Sequence, residues 1–315
     1  MSGQPQRIET TADYFESNRH DPTQTRHTDG QRIVDTYLRW LELDRRSSPE
    51  TLKSYRSVLK AWLRHTNGQL LQADRTTMAD FARRPTRTGN PRAARSSRRD
   101  VAVLRSFYKW CHIERLTARE LAGNLAAPKV GETLPKPIPD DVWADVWCQE
   151  MSPIKRTVLG LGYYVGLRRA EISRITGNQI DHEYIRAFMR KGSVEHTVPW
   201  LSMVETVRSR LAVVHRTRWV DMFVDDLTEI ASLVGPHPLL SVWAQNPTPQ
   251  TVNRKLADMP FTPHQLRHSC ATNLVARCGV PPHIAQKLLN HTSIQMTMGY
   301  VKVENSALAD WLSTT

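Results

Sequence analysis

Four prolines fall within the twelve residues "PKVGETLPKPIP", positions 128–139. Proline lacks the amide hydrogen that a helix or a central strand needs, and it biases the residue before it toward extended backbone. No regular element is expected to cross this stretch, so the chain should fold as two bodies joined by a semi-rigid connector. The expected division is a polar, loosely ordered segment over 1–29, a first domain over 30–127, the connector over 128–139 and a second domain over 140–315. A length of 315 residues suits two domains.

In the first domain the apolar residues recur at helical spacing. Ile33, Val34, Tyr37, Leu38 and Leu41 mark one face of a helix over 31–43. Ser48 before Pro49 is a helix start, with proline at the first position, where its missing N–H costs nothing. Leu52, Tyr55, Val58, Leu59, Trp62 and Leu63 follow in steps of three and four, and the opposite face carries Lys53, Arg56, Lys60 and Arg64. Further helices are expected near 77–83, over 97–113 and near 117–125. The second domain is also mostly helical, but "YIRAFMRKGSVEHTVPW" (184–200) breaks the pattern. Tyr184–Met189 alternates, Gly192 and Ser193 turn, and Glu195–Val198 returns, which is a β-hairpin with Lys191 near its tip. The fold class is therefore mainly α in two domains, with one small antiparallel sheet.

Charge narrows the partner. The net charge is +12, and residues 30–127 hold twenty Lys and Arg against nine Asp and Glu. In "FARRPTRTGNPRAARSSRRD" seven arginines precede the first acid, Asp100. A flexible basic loop would explain that run, but the balance favours a polyanion, most commonly nucleic acid. Arginine's planar fork also suits phosphate oxygens. The expected DNA-binding set is Lys53, Arg56 and Lys60 with Arg95, Arg98 and Arg99. No apolar run approaches a membrane span and the first thirty residues lack a signal-peptide core, so the chain is expected to act in the cytoplasm without a membrane partner. Cys111, Cys148, Cys270 and Cys278 form no CxxC pair and no zinc-type cluster, so no metal site is expected.

Three short strings in the second domain carry chemistry. In "YYVGLRRAEISRI" Arg168 is followed three residues later by Glu171, an arrangement that also suits a surface ion pair. In "TPHQLRHSCATNLVARCGV" His264 and Arg267 lie one helical turn apart; His264 equally suits a helix cap, and His268 is as well placed by spacing alone. In "LLNHTSIQMTMGY" His291 and Tyr300 are nine residues apart.

Together, in this order, "GLRRAEI", "HQLRH" and "LLNH" with a tyrosine nine residues on resemble the three boxes of the tyrosine recombinases, the phage-integrase and Xer superfamily. The resemblance runs from about Asp140 to Val303, and the helical first domain is similar to that family's core-DNA-binding domain. Two neighbours depart from the family pattern: Asn290 and Arg190 stand where glycine is usual. The resemblance implies a tyrosine recombinase fold, a core-DNA-binding bundle followed by a catalytic domain, and site-specific cleavage and rejoining of DNA in integration, excision or resolution. Tyr300 would be the nucleophile of a 3′-phosphotyrosyl intermediate. Arg168 and Arg267 would hold the phosphate oxygens, His264 would assist proton transfer at the tyrosine and His291 would donate to the phosphate. Lys191 would protonate the leaving 5′-oxygen, and Glu171 would orient its neighbours. No cofactor is implied, because the phosphotyrosyl bond keeps the energy of the broken one.

The implied partners are double-stranded DNA sites and three further copies of the chain in a tetramer on two duplexes, with room for an accessory directionality factor. The implied setting is the bacterial nucleoid, with a phage or mobile element as one source. A non-catalytic DNA-binding protein and a type IB topoisomerase are the competing readings. In "VKVENSALADWLSTT" (301–315), Leu308, Trp311 and Leu312 form one apolar stripe, expected to dock on a neighbouring subunit or on the chain's own catalytic domain.

Overall fold

The computed structural model describes residues 25–131, 135–189, 195–210, 218–291 and 293–301. The chain divides into two compact units, Met1–Glu132 and Thr133–Thr315.

The first unit is a helical bundle of α1 (Thr25–Leu43), α2 (Pro49–His65), α3 (Arg75–Arg83) and α4 (Ala94–Ile113). The Ser48 hydroxyl accepts from the Thr51 amide at 3.3 Å, and Asp74 accepts from the Thr77 amide at 2.7 Å, so α2 and α3 each start on a side-chain cap. Helix α2 buries Leu52, Val58, Leu59, Trp62 and Leu63, each contributing about 1.5–3 kcal/mol of gross burial. The polar tips inside are paired. Trp62 Nε1 donates to the Tyr108 hydroxyl at 3.0 Å, and that hydroxyl donates to the Leu70 carbonyl at 2.6 Å.

Three boundaries differ from the sequence expectation. Helix α1 begins six residues earlier than position 31, and α4 three residues earlier than position 97. The helix expected near 117–125 is absent; this stretch is bends and turns. Gly123 and Asn124 are poor helix formers, and the segment is held by tertiary contacts instead. Ala122 and Leu125 are buried, and Arg105 donates to the Leu125 carbonyl at 2.5 Å.

The second unit contains α5 (Asp140–Trp147), α6 (Pro153–Tyr163), the single-turn α7 (Arg169–Ile172), β1 (Ile185–Met189), β2 (Glu195–Val198), α8 (Trp200–Arg210), α9 (Arg218–Val234), α10 (Pro249–Lys255), α11 (Pro263–Thr272), α12 (Pro282–Leu289) and α13 (Ile294–Val301). The strands pair antiparallel, Ile185 with Val198 and Met189 with Glu195, with a register shift between Ile185 and Phe188. Every residue from 156 to 167 is buried, so α6 is the axis of the core. Trp143 stacks on Tyr163 with ring centroids 3.8 Å apart. A Cβ at Gly162 would meet Leu266 at 2.9 Å, so the missing side chain lets α11 lie close against α6. Helix α11 runs into a π-helical turn, Asn273–Arg277. The hairpin tip with Lys191 and the stretch 302–315 with Leu308, Trp311 and Leu312 lie outside the described residues. Cys111, Cys270 and Cys278 are buried and Cys148 is exposed, all as free thiols.

Candidate active site

Four local structures bring the expected residues of the second unit together. The first is the turn between α6 and α7. Gly166 has φ +70°, a conformation that L side chains rarely adopt, and a Cβ there would meet Leu289 at 2.5 Å. The reversed chain then places Arg168 just before α7. Glu171, 4% exposed, accepts from the Arg168 backbone amide at 2.7 Å and from its Nη1 at 2.9 Å. The ion pair read from the sequence is present, and Glu171 holds both the backbone and the guanidinium of Arg168.

The second is α11. Thr262 and Gln265 cap its start reciprocally, Thr262 N–H to Gln265 Oε1 at 3.0 Å and Gln265 N–H to the Thr262 hydroxyl at 3.4 Å. His264, Arg267 and His268 project from the following turns. Arg267 is 3% exposed. Its Nη1 donates to the Gly166 carbonyl and its Nη2 to the Leu289 carbonyl.

The third is the end of α12. Asn290 is left-handed, φ +48° and ψ +56°. Its N–H reaches the Lys287 carbonyl at 3.1 Å, and the His291 N–H reaches the Gln286 carbonyl at 3.0 Å. This pair of bonds is a Schellman turn, whose left-handed residue is usually glycine and sometimes asparagine. The departure from the family pattern at Asn290 is therefore a substitution that the backbone tolerates. The Gln286 side chain also donates to the His291 carbonyl at 3.1 Å, so the main chain of His291 is held on both sides. Arg168 Nη2 donates to the Asn290 carbonyl at 3.2 Å. The two arginines therefore grip successive carbonyls at a helix C-terminus, where a cation is favoured. These bonds use two of the five N–H donors of each guanidinium, leaving others for an anion.

The fourth is α13, which carries Tyr300. The Tyr300 hydroxyl lies 2.8 Å from Nδ1 of His268. The His291 ring stacks on Tyr300 with centroids 6.0 Å apart and planes 9° from parallel, and its Nδ1 is 2.9 Å from the Thr297 hydroxyl. His264 does not make the described contact with the tyrosine. It packs edge-on against His268, with centroids 4.3 Å apart. A cleft of about 870 Å³ is lined by Arg168, Arg169, His264 and Arg267 with Phe261 and Met259. Tyr300, 5% exposed, is not among the residues lining it.

The electrostatics follow from burial and positive charge. Burial, then the charge of Arg168, lowers Arg267 to about 10. Two cations beside one carboxylate repel each other, and an anion between them would relieve that. Burial, then His264 and Arg267, lowers His268 to about 4. His264 is also lowered, by burial first and then by Arg267, Arg168 and Arg169. Burial raises Tyr300 to about 12 against the opposing pull of Arg267 and Arg168.

Of the expected site residues, Arg168, Glu171, His264, Arg267, His291 and Tyr300 belong to this cluster. The expected DNA-binding residues lie in the first unit, where Lys53, Arg56 and Lys60 on α2 and Arg95, Arg98 and Arg99 on α4 are all exposed. Sequence alone offers His268 only as an alternative to His264, and it assigns no role to Thr297, Gln286 or the carbonyls of Gly166, Leu289 and Asn290. Thr297 carries a signal, since it sits one turn before Tyr300 on the same helix face. Among the described residues, no three His, Cys, Asp or Glu are grouped to hold a metal, and no helix is long and apolar enough to cross a membrane.

Two family models match the chain: the phage integrase family over residues 148–306, and its N-terminal SAM-like domain over residues 34–115. Tyrosine recombinase XerC of Escherichia coli O139:H28 (strain E24377A / ETEC) is 29% identical over 300 residues, covering 90% of this chain and 94% of the relative. A lambda integrase dimer bound to a COC′ core site has the same fold, with a TM-score of 0.66 at 17% identity over 87% of this chain and 96% of that one. A lambda integrase tetramer bound to a Holliday junction gives 0.64 at 18% identity over 91% and 83%. The chain belongs to the phage integrase family, and it is a tyrosine site-specific recombinase.

Proposed function

We infer that this chain cuts and rejoins double-stranded DNA at specific sites, with Tyr300 as nucleophile and Arg168 and Arg267 as the phosphate clamp. The observation that carries this reading is the 2.8 Å contact between the Tyr300 hydroxyl and His268 Nδ1, on the helix that also presents Arg267. With the phenol raised to about 12 and His268 lowered to about 4, the resting pair is a protonated tyrosine donating to a neutral imidazole. His268 is therefore the proton acceptor in this reading, and His264, in the cleft beside Arg168, takes the phosphate-facing position.

The steps balance without an external reagent. Tyr300 Oη bonds to phosphorus, its proton passes to His268, and the bond from phosphorus to the 5′-oxygen breaks. The released 5′-oxygen takes a proton, for which Lys191 is the sequence candidate. In the return step a 5′-hydroxyl attacks the same phosphorus and gives its proton back to the group that served the leaving 5′-oxygen, while the bond to Tyr300 breaks and Oη retakes the proton held on His268. The arginines offset the charge that builds on the phosphate oxygens in both directions. Tyr300 is buried and does not line the cleft, so in this reading α13 shifts for Oη to reach phosphorus.

By analogy with the integrase tetramer on a Holliday junction, the working form would be a tetramer on two duplexes in the bacterial cytoplasm, acting in integration, excision or resolution. An accessory directionality factor would be a further partner. The test is covalent trapping on candidate sites taken from the DNA flanking the gene. Wild type should form a protein–DNA adduct and Tyr300→Phe should not. An adduct that persists in Tyr300→Phe removes the nucleophile assignment, and joining of two different duplexes separates a recombinase from a topoisomerase.

A further inference from the structure

In the first unit, Asp100 on α4 is fully buried. Its Oδ2 accepts from Arg92 at 2.6 Å and from Arg84 at 2.8 Å, and Arg99 stands 3.5 Å from Oδ1, too far for a good hydrogen bond. Arg84 is fixed twice more. Its Nη1 donates to the Phe81 carbonyl at 2.6 Å and its guanidinium lies 3.6 Å from the centre of the Phe81 ring. Burying a carboxylate among arginines gives little net stability, because desolvation consumes most of the attraction. The arrangement does, however, hold two guanidinium groups in fixed positions.

Those two groups line a cleft of about 480 Å³ together with Lys60, Arg64 and Arg87. Five cationic side chains thus meet there against one carboxylate. A tight turn forms part of the wall, with the Gly89 N–H on the Thr86 carbonyl at 3.0 Å and the Thr86 N–H on the Asn90 carbonyl at 2.9 Å. The Arg92 side chain is 15% exposed, and its Nε–H is buried with no acceptor among the described residues. A buried donor without a partner costs free energy that an incoming acceptor recovers. Concavity, excess positive charge and an unmatched donor all fit a phosphate oxygen.

We propose that this cleft binds one backbone phosphodiester of duplex DNA, and that Asp100 is the positioning residue that aims Arg84 and Arg92 at it. The proposal rests on the reading of the chain as a DNA-acting protein. It adds Arg64, Arg84, Arg87 and Arg92 to the DNA-binding set read from the sequence, and it gives an acidic residue a role in holding an anion.

The test is equilibrium binding of the full chain to a short generic duplex across a series of salt concentrations. That readout needs neither Tyr300 nor a recombination site, so failure of the cleft and failure of the cleavage chemistry are told apart. Charge counting alone says that Asp100→Asn, which adds a positive charge, should tighten binding. The proposal requires the reverse: roughly tenfold weaker binding and a salt slope shallower by about one to two units, as when one or two phosphates are no longer neutralised. Arg92→Lys keeps the charge but loses the Nε donor and the fork, and should also weaken binding. Arg87→Gln, exposed and outside the Asp100 pairing, should flatten the slope by about one unit; it decides the matter together with Arg92→Lys if Asp100→Asn fails to fold. Folded Asp100→Asn that binds as tightly as wild type or tighter overturns the proposal, as do wild-type affinity in Arg92→Lys and an unchanged slope in Arg87→Gln. If inorganic phosphate raises the melting temperature of wild type but not of Arg87→Gln while the DNA slopes stay equal, the cleft serves a free anion and the DNA assignment fails.

Discussion

Arg168 and Asn290, 122 residues apart, meet through a 3.2 Å hydrogen bond from the guanidinium to a main-chain carbonyl. Asn290 offers that carbonyl because it is left-handed, and it is left-handed because it ends α12. The left-handed turn and the seat of the first arginine are therefore one structure.

This makes position 290 a sensitive probe. Asn290→Gly should fold as well as wild type and cleave DNA at a similar rate, since glycine adopts this backbone without strain. Asn290→Val should cost about 1–2 kcal/mol of stability, because a branched side chain resists positive φ, and it should slow cleavage by displacing the Asn290 carbonyl. Thermal melting and adduct formation measured side by side check both. Equal behaviour of the valine variant would detach the turn from the site.

The pH dependence follows from His268. Its folded value, about 4, lies below the ordinary histidine value, so the unfolded chain binds more protons between those limits. Stability tied to this residue is complete above about pH 6.5 and is lost as pH falls toward about 4. His264 is shifted in the same direction and adds to the trend. His268→Gln should flatten the fall in melting temperature across this window. In rate measurements, cleavage should stay level below the usual histidine range and drop only in stronger acid. An acid limb at the ordinary histidine value would contradict a neutral, buried His268.

Arg267 tests geometry against charge. Its two Nη groups reach the Gly166 and Leu289 carbonyls at once, a fork that a single ammonium does not reproduce. Arg267→Lys should retain positive charge yet slow cleavage by about 10²–10³-fold, the range for losing one transition-state donor. Gly166→Ala should act through the same contact, because its Cβ would meet Leu289 at 2.5 Å and Cys270 at 2.9 Å in a backbone that disfavours alanine. Single-turnover cleavage at saturating protein is the measurement, and a wild-type rate in Arg267→Lys would reduce the residue to a point charge.

The sequence reveals elements whose apolar residues repeat locally, and it conceals contacts made at long range. The stripe from Leu52 to Leu63 announces α2 because it reflects a single buried face, and the Tyr184–Val198 alternation announces the hairpin. The histidine at Tyr300 is ambiguous for a physical reason. His264 and His268 are four residues apart on one helix face, and only the docking of α13 from 32 residues away selects between them. Apart from Glu171, which the sequence does show, the acceptors of Arg168 and Arg267 are main-chain carbonyls, which leave no mark in the sequence. Asp100 is visible there only as the end of a basic run, since burial of a lone carboxylate depends on where Arg84 and Arg92 fold back. The segment 117–125 misleads because Leu121 and Leu125 keep helical spacing around Gly123 and Asn124, which favour turns.

The open face of α2 is basic. Lys53, Arg56 and Lys60 are exposed at helical intervals, opposite the buried Leu52, Leu59 and Leu63. They make no described ion pair within the first unit, so their removal should change DNA binding more than folding. Replacing all three with glutamine should leave the melting temperature near that of wild type. It should also flatten the slope of log affinity against log salt by about one unit for each phosphate that is no longer neutralised, about three if all three side chains engage. Since the loss is in the counterion term, it should appear equally on specific and generic duplexes. A slope that does not change would place the DNA on another face of the bundle, and a loss confined to the specific site would mean that these residues read bases rather than phosphates.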